Sequence, residues 1–314
     1  MGFIVFLGLV LLGDIRQVGS HLASFNGWYI PAILAGTLFN YALRFIKWHY
    51  YLRQIGIKDL SYLESARLFV AGFPLAVTPG KVGEALKGVW LNYVTGIPIA
   101  RGVPVVLAER ISDGLAVLIL STLGVIAYPQ YWPAFAFVLG SLLLFITLSQ
   151  IRPLALSFLK FLERFTKIRR FVHSLHEFYE GTRVLFRPGA TIVAVSLGTF
   201  AWLGEGIAMY LVLIGLGIPT GWETFSLAVF ILSFSTVIGA VSALPGGLGA
   251  AEASIAGMLT LLMNLPKGIA ATATLMIRFA TLWFGVGLGL VVWAFSHHLL
   301  TLSPQTTKQL DRDP

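Results

Sequence analysis

The sequence predicts an all-α polytopic membrane protein of two inverted, diverged repeats, with Pro-Gly-broken short or re-entrant helices around a central polar cavity. Three observations predict this fold: the composition, a succession of apolar runs, and a helix-break motif that occurs twice. Of the 314 residues, 57% are hydrophobic and 11% are charged, and the mean hydropathy is +0.83. A soluble domain carries roughly 25% charged residues, so most of this surface cannot face water. The apolar residues also run together, whereas they alternate in an outer-membrane barrel.

The apolar runs give the candidate helices in chain order. A full span needs about 20 residues, so the run 3–13 is short for one, whereas several later runs are long enough. We expect a single transmembrane domain over 1–300, with repeat-like halves at about 28–149 and 191–297, and a polar tail at 301–314. The runs are 3–13, 28–45, 66–78, 85–97, 103–128, 131–149, 191–217, 224–244, 248–264 and 268–295.

The distribution of Lys and Arg between the runs predicts the orientation. The segments 44–67 and 150–190 hold thirteen basic residues, and the loops on the other side hold two, Arg16 and Lys267. Because cytoplasmic loops are enriched in basic residues, we expect an inner-membrane protein with both segments in the cytoplasm. The net charge of +8 is thereby attributed to membrane topology rather than to nucleic-acid binding. The segment 150–190 is typical of a basic amphipathic linker, either on anionic headgroups or as an ordinary helical hairpin.

A similar helix-break motif occurs once in each half. Residues 78–84 read TPGKVGE and residues 244–252 read LPGGLGAAE. In addition, Arg110 lies twelve residues after a proline, and so does Arg278. The first copy starts in a basic segment and the second on the opposite side by the count of spans, which predicts copies inverted across the membrane. Paired, Pro/Gly-interrupted helices are typical of the substrate sites of transporters.

The motif residues have physical reasons to form a ligand site. Proline ends the helical hydrogen-bond ladder, and glycine lets a ligand approach the backbone closely. The helix that starts after the break presents free amides that attract an anion, and Lys81 adds a positive charge. A simple tight loop between two spans is the alternative. The break residues are Pro79, Gly80, Gly83, Pro245, Gly246, Gly247 and Gly249.

Charged residues inside the apolar runs and in the first helix-break motif are the second set of candidates. Each costs at least a few kcal/mol at the bilayer centre unless it is paired or hydrated. The planar guanidinium of arginine suits a phosphate headgroup, although a purely structural role as ion pairs stays open. The candidate headgroup-binding residues are Lys81, Lys87, Arg110 and Arg278. The candidate supporting acids, which could pair with these cations or carry protons, are Glu84, Glu109, Asp113, Glu205 and Glu252.

Several kinds of site are not expected. The chain has no cysteine, which excludes disulfides, thiolate catalysis and Cys-zinc sites. It has no phosphate-cradling P-loop, nucleophile elbow or His-Glu metalloprotease motif. We therefore predict no catalytic residue, no metal and no cofactor, and we expect no nucleic-acid partner.

Four segments resemble one family, and together they extend over about residues 28–295. They are 40–48 with Tyr51-Leu52, 78–84 with Lys87, Glu109-Arg110 with Asp113, and 244–249 with Glu252. The chain resembles the flippase-like transmembrane domain of lysylphosphatidylglycerol synthases in its stand-alone form. The resemblance implies movement of a lipid, often a charged phospholipid or a polyprenyl-linked sugar, between leaflets. Synthases continue into an aminoacyl-transferase domain and this sequence does not, so lipid aminoacylation is not expected.

The leading hypothesis is a transporter-like lipid translocase rather than an enzyme. An anionic or polyprenyl-linked headgroup would enter a polar cavity between the halves. An integral-membrane enzyme acting on lipid-linked phosphate or sugar is one alternative. A lipid-binding accessory subunit, which recruits a cytoplasmic lipid-modifying transferase through 150–190, is another. A homo-oligomer is also compatible with the sequence.

Overall fold

The protein is a helical, multi-pass membrane protein. The computed structural model describes residues 15–78, 83–125, 130, 132–151, 153, 157 and 172–296. Within these ranges the chain is helical and contains no strand. In the same part of the chain, five helices are long and apolar enough to cross a membrane. They are Gly27–Gln54, Trp132–Gln150, Pro188–Gly215, Trp222–Val241 and Lys267–Phe295.

The first half combines long helices with two short ones at the predicted break. Ser61 caps the first short helix by accepting the Glu64 amide at 3.2 Å. Gly96, in the left-handed conformation at φ 72°, ends the second. The helices are α1 (Ile15–Ser24), α2 (Ile30–Gln54), α3 (Tyr62–Ala71), a 3₁₀ helix (Phe73–Val77), α4 (Leu86–Thr95), α5 (Ile99–Val125) and α6 (Trp132–Gln150).

The part of the chain after α6 contains a helix in the linker and then a long helix followed by a broken one. Pro188 starts the long helix in its first turn, where the missing amide costs nothing. The last helix contains a five-residue π turn and continues beyond it. The helices are α7 (Val172–Leu185), α8 (Pro188–Gly215), α9 (Trp222–Val241), a 3₁₀ helix (Pro245–Gly247), α10 (Ala250–Leu262), α11 (Lys267–Arg278), the π turn (Phe279–Trp283) and α12 (Phe284–Phe295).

The long helices α2 and α8, one from each half, form the most extensive helix pair. They cross closely because two glycines face each other. A Cβ on Gly36 would lie 2.7 Å from the Gly204 carbonyl oxygen, and one on Gly204 would lie 3.0 Å from the Gly36 carbonyl oxygen. Small residues at such crossings let backbones approach, which is how membrane helices gain packing energy without a hydrophobic driving force.

The two helix breaks contact each other. A Cβ on Gly246 of the second break would lie 3.2 Å from Val77 Cγ1 at the end of the first. Gly246 and Gly247 adopt positive φ angles of 63° and 67°, which side-chain-bearing residues rarely adopt. Gly83 donates its amide to Thr78 Oγ1 at 2.9 Å. Pro79, Gly80 and Lys81 lie outside the described residues.

The prediction that 44–67 is a loop was wrong. α2 continues to Gln54 and α3 begins at Tyr62, so the connection is only 55–61. Arg44 and Lys47 lie within α2, and Lys47 is fully buried. Both charges can lie inside the helix because Asp113 of α5 forms ion pairs with them. The orientation therefore remains a prediction that rests on the other eleven basic residues.

The segment 150–190 contains a packed helix. α7 lies against α5, and a Cβ on Gly181 would lie 3.1 Å from Pro104 Cγ. Arg101 also approaches Glu177, with 3.8 Å between Nη1 and Oε2. Six of the eight basic residues of this segment lie at 152–170, outside the described residues. Its predicted contact with lipid headgroups stays a prediction.

Candidate functional site

A cluster of charged side chains lies between the helices of the two halves. The acidic members and the two lysines are at most 6% exposed. The arginine side chains are 12–26% exposed and are therefore the members that reach open space. The described members of this charged cluster are Arg44, Lys47, Lys87, Arg110 and Arg278, with Glu84, Glu109, Asp113, Glu205 and Glu252.

Asp113 of α5 lies within 4.0 Å of three basic side chains of the charged cluster. Lys47 Nζ of α2 is paired with Asp113 Oδ1 and donates a further hydrogen bond to Ser112 Oγ at 3.2 Å. Arg44 Nε lies 3.4 Å from Asp113 Oδ2. Arg110, which helical spacing predicts beside Asp113, is more distant, with 3.9 Å between its Nη2 and Asp113 Oδ2. Asp113 is thus held chiefly by two cations of α2, which are far from it in sequence.

Arg110 has a closer partner than its neighbour in α5. Its Nε lies 3.2 Å from Glu84 Oε2, just after the first helix break. Glu84 is 2% exposed, whereas the Arg110 side chain is 26% exposed. The ion pair therefore ties the first break to α5 and leaves part of the guanidinium open.

Lys87 is held in a buried pair of its own. Its Nζ lies 3.2 Å from Glu109 Oε2, and Glu109 is fully buried. The ammonium also lies 4.9 Å from the ring centre of Trp48 and 5.2 Å from that of Phe69. Aromatic faces attract a cation, so Lys87 is neutralised on several sides. The space beside it exists because residue 72 is glycine: a Cβ there would lie 2.1 Å from Lys87 Cε.

At the second break, Glu252 makes two contacts. Its Oε1 accepts from Arg278 Nε at 2.5 Å, and its Oε2 accepts the Gly249 amide at 2.6 Å. Arg278 Nη2 donates to the Gly246 carbonyl at 3.1 Å. One amide at the start of α10 is therefore occupied by a protein carboxylate. Arg278 fixes the break by contacting both its carbonyl and its capping acid.

Glu205, in α8, differs from the other acids. It is 6% exposed and lies on the wall of a cavity. Within the described part of the chain, no cation is within salt-bridge distance of it. Arg44, Arg278 and Asp113 act on it electrostatically from further away.

A polar cavity of about 130 Å³ lies where these helices meet. It brings together five charged residues predicted from the sequence, together with Gly246 and Gly247 of the second break. Glu109, Asp113 and Glu252 do not line this cavity, but each forms an ion pair with a basic side chain that does. The predicted charged residues on the wall are Glu84, Lys87, Arg110, Glu205 and Arg278.

An apolar groove of about 470 Å³ adjoins the polar cavity. It lies between α5, α6 and α9, and Val103, Val117 and Val138 contribute to its walls. At the end of α9 it reaches Val241 and Leu244, which are 66% and 38% exposed. The polar cavity and the apolar groove share six wall residues, which are Glu84, Arg110, Trp202, Thr236, Gly239 and Ala240.

Two polar groups at this junction are suited to an anion. Arginine offers planar, forked donors that match phosphate oxygens, and Arg110 lies on both walls. The Trp202 indole N–H is buried and has no hydrogen-bond partner among the described atoms. A buried donor without a partner is costly, so an acceptor that entered here would be stabilised.

A family model described as the lysylphosphatidylglycerol synthase TM region matches residues 1–289. The chain belongs to this family. The resemblance inferred from the sequence motifs is thereby confirmed. A UPF0104 membrane protein of Methanothermobacter thermautotrophicus is 26% identical over 267 residues, which are 80% of this chain and 78% of that protein. No solved structure matches the chain.

Sequence reasoning missed Trp202 of α8 and three residues of α2 at the site. Arg44 and Lys47 were counted as loop residues, and Tyr41 was noted only as part of a motif. All three lie on α2, and Tyr41 donates from its hydroxyl to the Thr281 carbonyl at 2.5 Å. A signal was available: these residues recur every three along an apolar stretch that shows no turn residue. Helical spacing would have placed them on one face.

Proposed function

We propose that this protein moves a phosphate-bearing lipid between the two leaflets of the membrane. The observation that carries the proposal is the junction of a polar cavity of about 130 Å³ and an apolar groove of about 470 Å³. An amphiphile needs both environments side by side. The volume of the apolar groove lies in the range of about 300–1,000 Å³ that is usual for small-molecule sites.

In this proposal the headgroup and the acyl chain occupy different spaces. The phosphate lies against Arg110 and Arg278, and the Trp202 N–H supplies a further donor. The acyl chain lies in the groove between α5, α6 and α9. The exposed side chains of Val241 and Leu244 mark where the groove opens toward lipid. Membership in a family named after a synthase of a modified phospholipid supports the choice of lipid as substrate.

The arrangement of helices supports a transport cycle. α2, the α3–α4 pair and α5 in the first half correspond in order to α8, the α9–α10 pair and α11–α12 in the second. We propose that these halves are the inverted repeats expected from the sequence, with the two contacting breaks between them. Rocking of one repeat against the other would expose the polar cavity to each side in turn.

A groove-blocking variant tests the proposal. Val138→Trp on α6 would fill the apolar groove and leaves every residue of the charged cluster unchanged in sequence. We expect translocation of a fluorescent phosphatidylglycerol in proteoliposomes to fall by at least about tenfold, which corresponds to roughly 1.4 kcal/mol in the barrier. The matched control is Leu144→Trp, on the same helix but 59% exposed. Equal rates for both variants would contradict the proposed path of the chain.

A second experiment separates a lipid from a free phosphate compound. Binding of short-chain phosphatidylglycerol and of its water-soluble headgroup alone is compared in the purified protein. We expect Arg278→Gln to weaken both ligands, and Val138→Trp to weaken only the lipid. If the soluble headgroup binds as tightly as the lipid, the substrate is a free phosphate ester and the lipid proposal fails.

The orientation can be tested because the chain has no cysteine. Single cysteines at Asp59, in the connection before α3, and at Thr220, before α9, both lie at exposed positions. We propose that residue 59 faces the cytoplasm and residue 220 the opposite side of the inner membrane. A membrane-impermeant maleimide added to intact cells should label only Thr220→Cys. Labelling of Asp59→Cys instead would reverse the orientation.

A further inference from the structure

Glu205 lies at the polar cavity without the cation that each other acid of the charged cluster has. Asp113, Glu84, Glu109 and Glu252 each have a basic side chain within 4.0 Å. In the part of the chain that the structure describes, Glu205 has none. It is nevertheless 6% exposed, so water does not replace the missing partner across most of its surface.

The groups that face Glu205 come from the helices packed on α8. Tyr41 and Arg44 of α2, Asp113 of α5 and Arg278 of α11 act on it electrostatically. α9 offers no titratable side chain over 224–241. α7 and the turn at 27–29 also contact α8, and the groups that act on Glu205 electrostatically include none from these two elements. The Tyr41 hydroxyl donates its hydrogen bond to the Thr281 carbonyl and not to Glu205.

The described charged cluster holds five basic and five acidic side chains, and it is neutral when all are ionised. A phosphodiester headgroup would add one negative charge to this largely enclosed space, where uncompensated charge is costly. Protonating any of the four paired acids would restore neutrality but would leave a buried cation unpaired. Glu205 is the acid that can take a proton without breaking an ion pair.

We propose that Glu205 takes up one proton when an anionic headgroup enters the polar cavity and releases it when the headgroup leaves. The inference rests on the proposed function, because it needs an anion in that cavity. Binding and protonation then favour each other reciprocally. Where Glu205 is ionised in the free protein, affinity for the anion should fall by about tenfold per pH unit, as expected for one linked proton.

Calorimetry of the purified full-length protein tests this coupling. Dihexanoyl phosphatidylglycerol is titrated in phosphate-free buffers of different ionisation enthalpy, which gives the number of protons taken up per lipid bound. At a pH at which Glu205 is ionised in the free protein, we expect about one proton for the wild type. For Glu205→Gln, whose amide is neutral, we expect no uptake and an affinity that does not change with pH. Glu205→Asp, which should restore the uptake, shows that the position tolerates substitution.

A matched control uses an acid outside the site. Glu223→Gln, at the exposed start of α9, should keep the wild-type proton uptake. If Glu205→Gln and the wild type take up the same number of protons, Glu205 is not the proton site, and the proposed function is unaffected. If the wild type binds no lipid, the proposed function fails and this inference fails with it.

Discussion

Replacing Asp113 with Asn should be among the most destabilising isosteric changes in this protein. Asp113 is the counter-charge for Lys47, which is fully buried, and for Arg44, whose Nε lies 3.4 Å away. The substitution keeps the shape and an amide oxygen that can accept from the lysine ammonium, but it removes the negative charge paired with Lys47. The Ser112 hydroxyl, 3.2 Å from Nζ, is neutral and does not replace that charge. Removing one partner of a buried pair costs about 3–5 kcal/mol, which is roughly a hundredfold to several thousandfold in the folding equilibrium.

A double-mutant cycle isolates the ion pair from other effects. Lys47→Met alone should cost less than Asp113→Asn, because Asp113 keeps Arg44 and, at 3.9 Å, Arg110. Adding Lys47→Met to Asp113→Asn should recover part of the stability, since the unpaired buried ammonium is then gone. Free energies of unfolding are measured by SDS titration of the purified variants in detergent micelles, followed by far-UV circular dichroism.

Two outcomes would refute this reasoning. Asp113→Asn could be as stable as the wild type, which would mean that water or an altered packing compensates Lys47. Alternatively, the losses of the two single variants could simply add in the double variant, so that the coupling energy of the cycle is near zero. Either result would show that the charge of Lys47 is not neutralised by Asp113.

Two further predictions concern helix packing and the second break. Gly36→Ala should destabilise the α2–α8 crossing by about 1–3 kcal/mol through overpacking against Gly204. The control Gly140→Ala, at a position with open space around it, should be neutral. Equal thermal stabilities of the two variants would contradict this prediction. Arg278→Lys keeps the charge but cannot contact Glu252 and the Gly246 carbonyl together, so we expect a loss of about 1.5–3 kcal/mol and faster proteolysis at 244–249. Unchanged proteolysis would contradict the role of Arg278 at the break.

The class of fold could be predicted from composition because a membrane imposes a simple rule. Lipid cannot satisfy backbone polar groups, so long apolar runs must be helices, and the apolar fraction alone selects this solution. The two breaks could also be predicted, since Pro and Gly act locally on the backbone and need no distant partner. The run 103–128 was located in the same way, and the structure has α5 at Ile99–Val125.

The boundaries between loop and helix were less predictable where charge enters a span. Arg44 and Lys47 resemble loop residues because isolated charges are excluded from lipid. Their helix continues because Asp113, 66 positions from Lys47 in sequence, neutralises them in the folded protein. The residues next to Arg44 and Lys47 in the sequence do not indicate that distant partner.

The sequence alone determined that this is a helical membrane protein of the lysylphosphatidylglycerol synthase TM region family, with paired helix breaks and a short set of charges inside apolar runs. The tertiary structure alone decided how these charges pair: Arg110 with Glu84, Lys87 with Glu109, Arg278 with Glu252, and Glu205 with none of the described cations. The physical reason is that the cost of a charge in lipid can be read from its own position, whereas its compensation depends on which helices pack together.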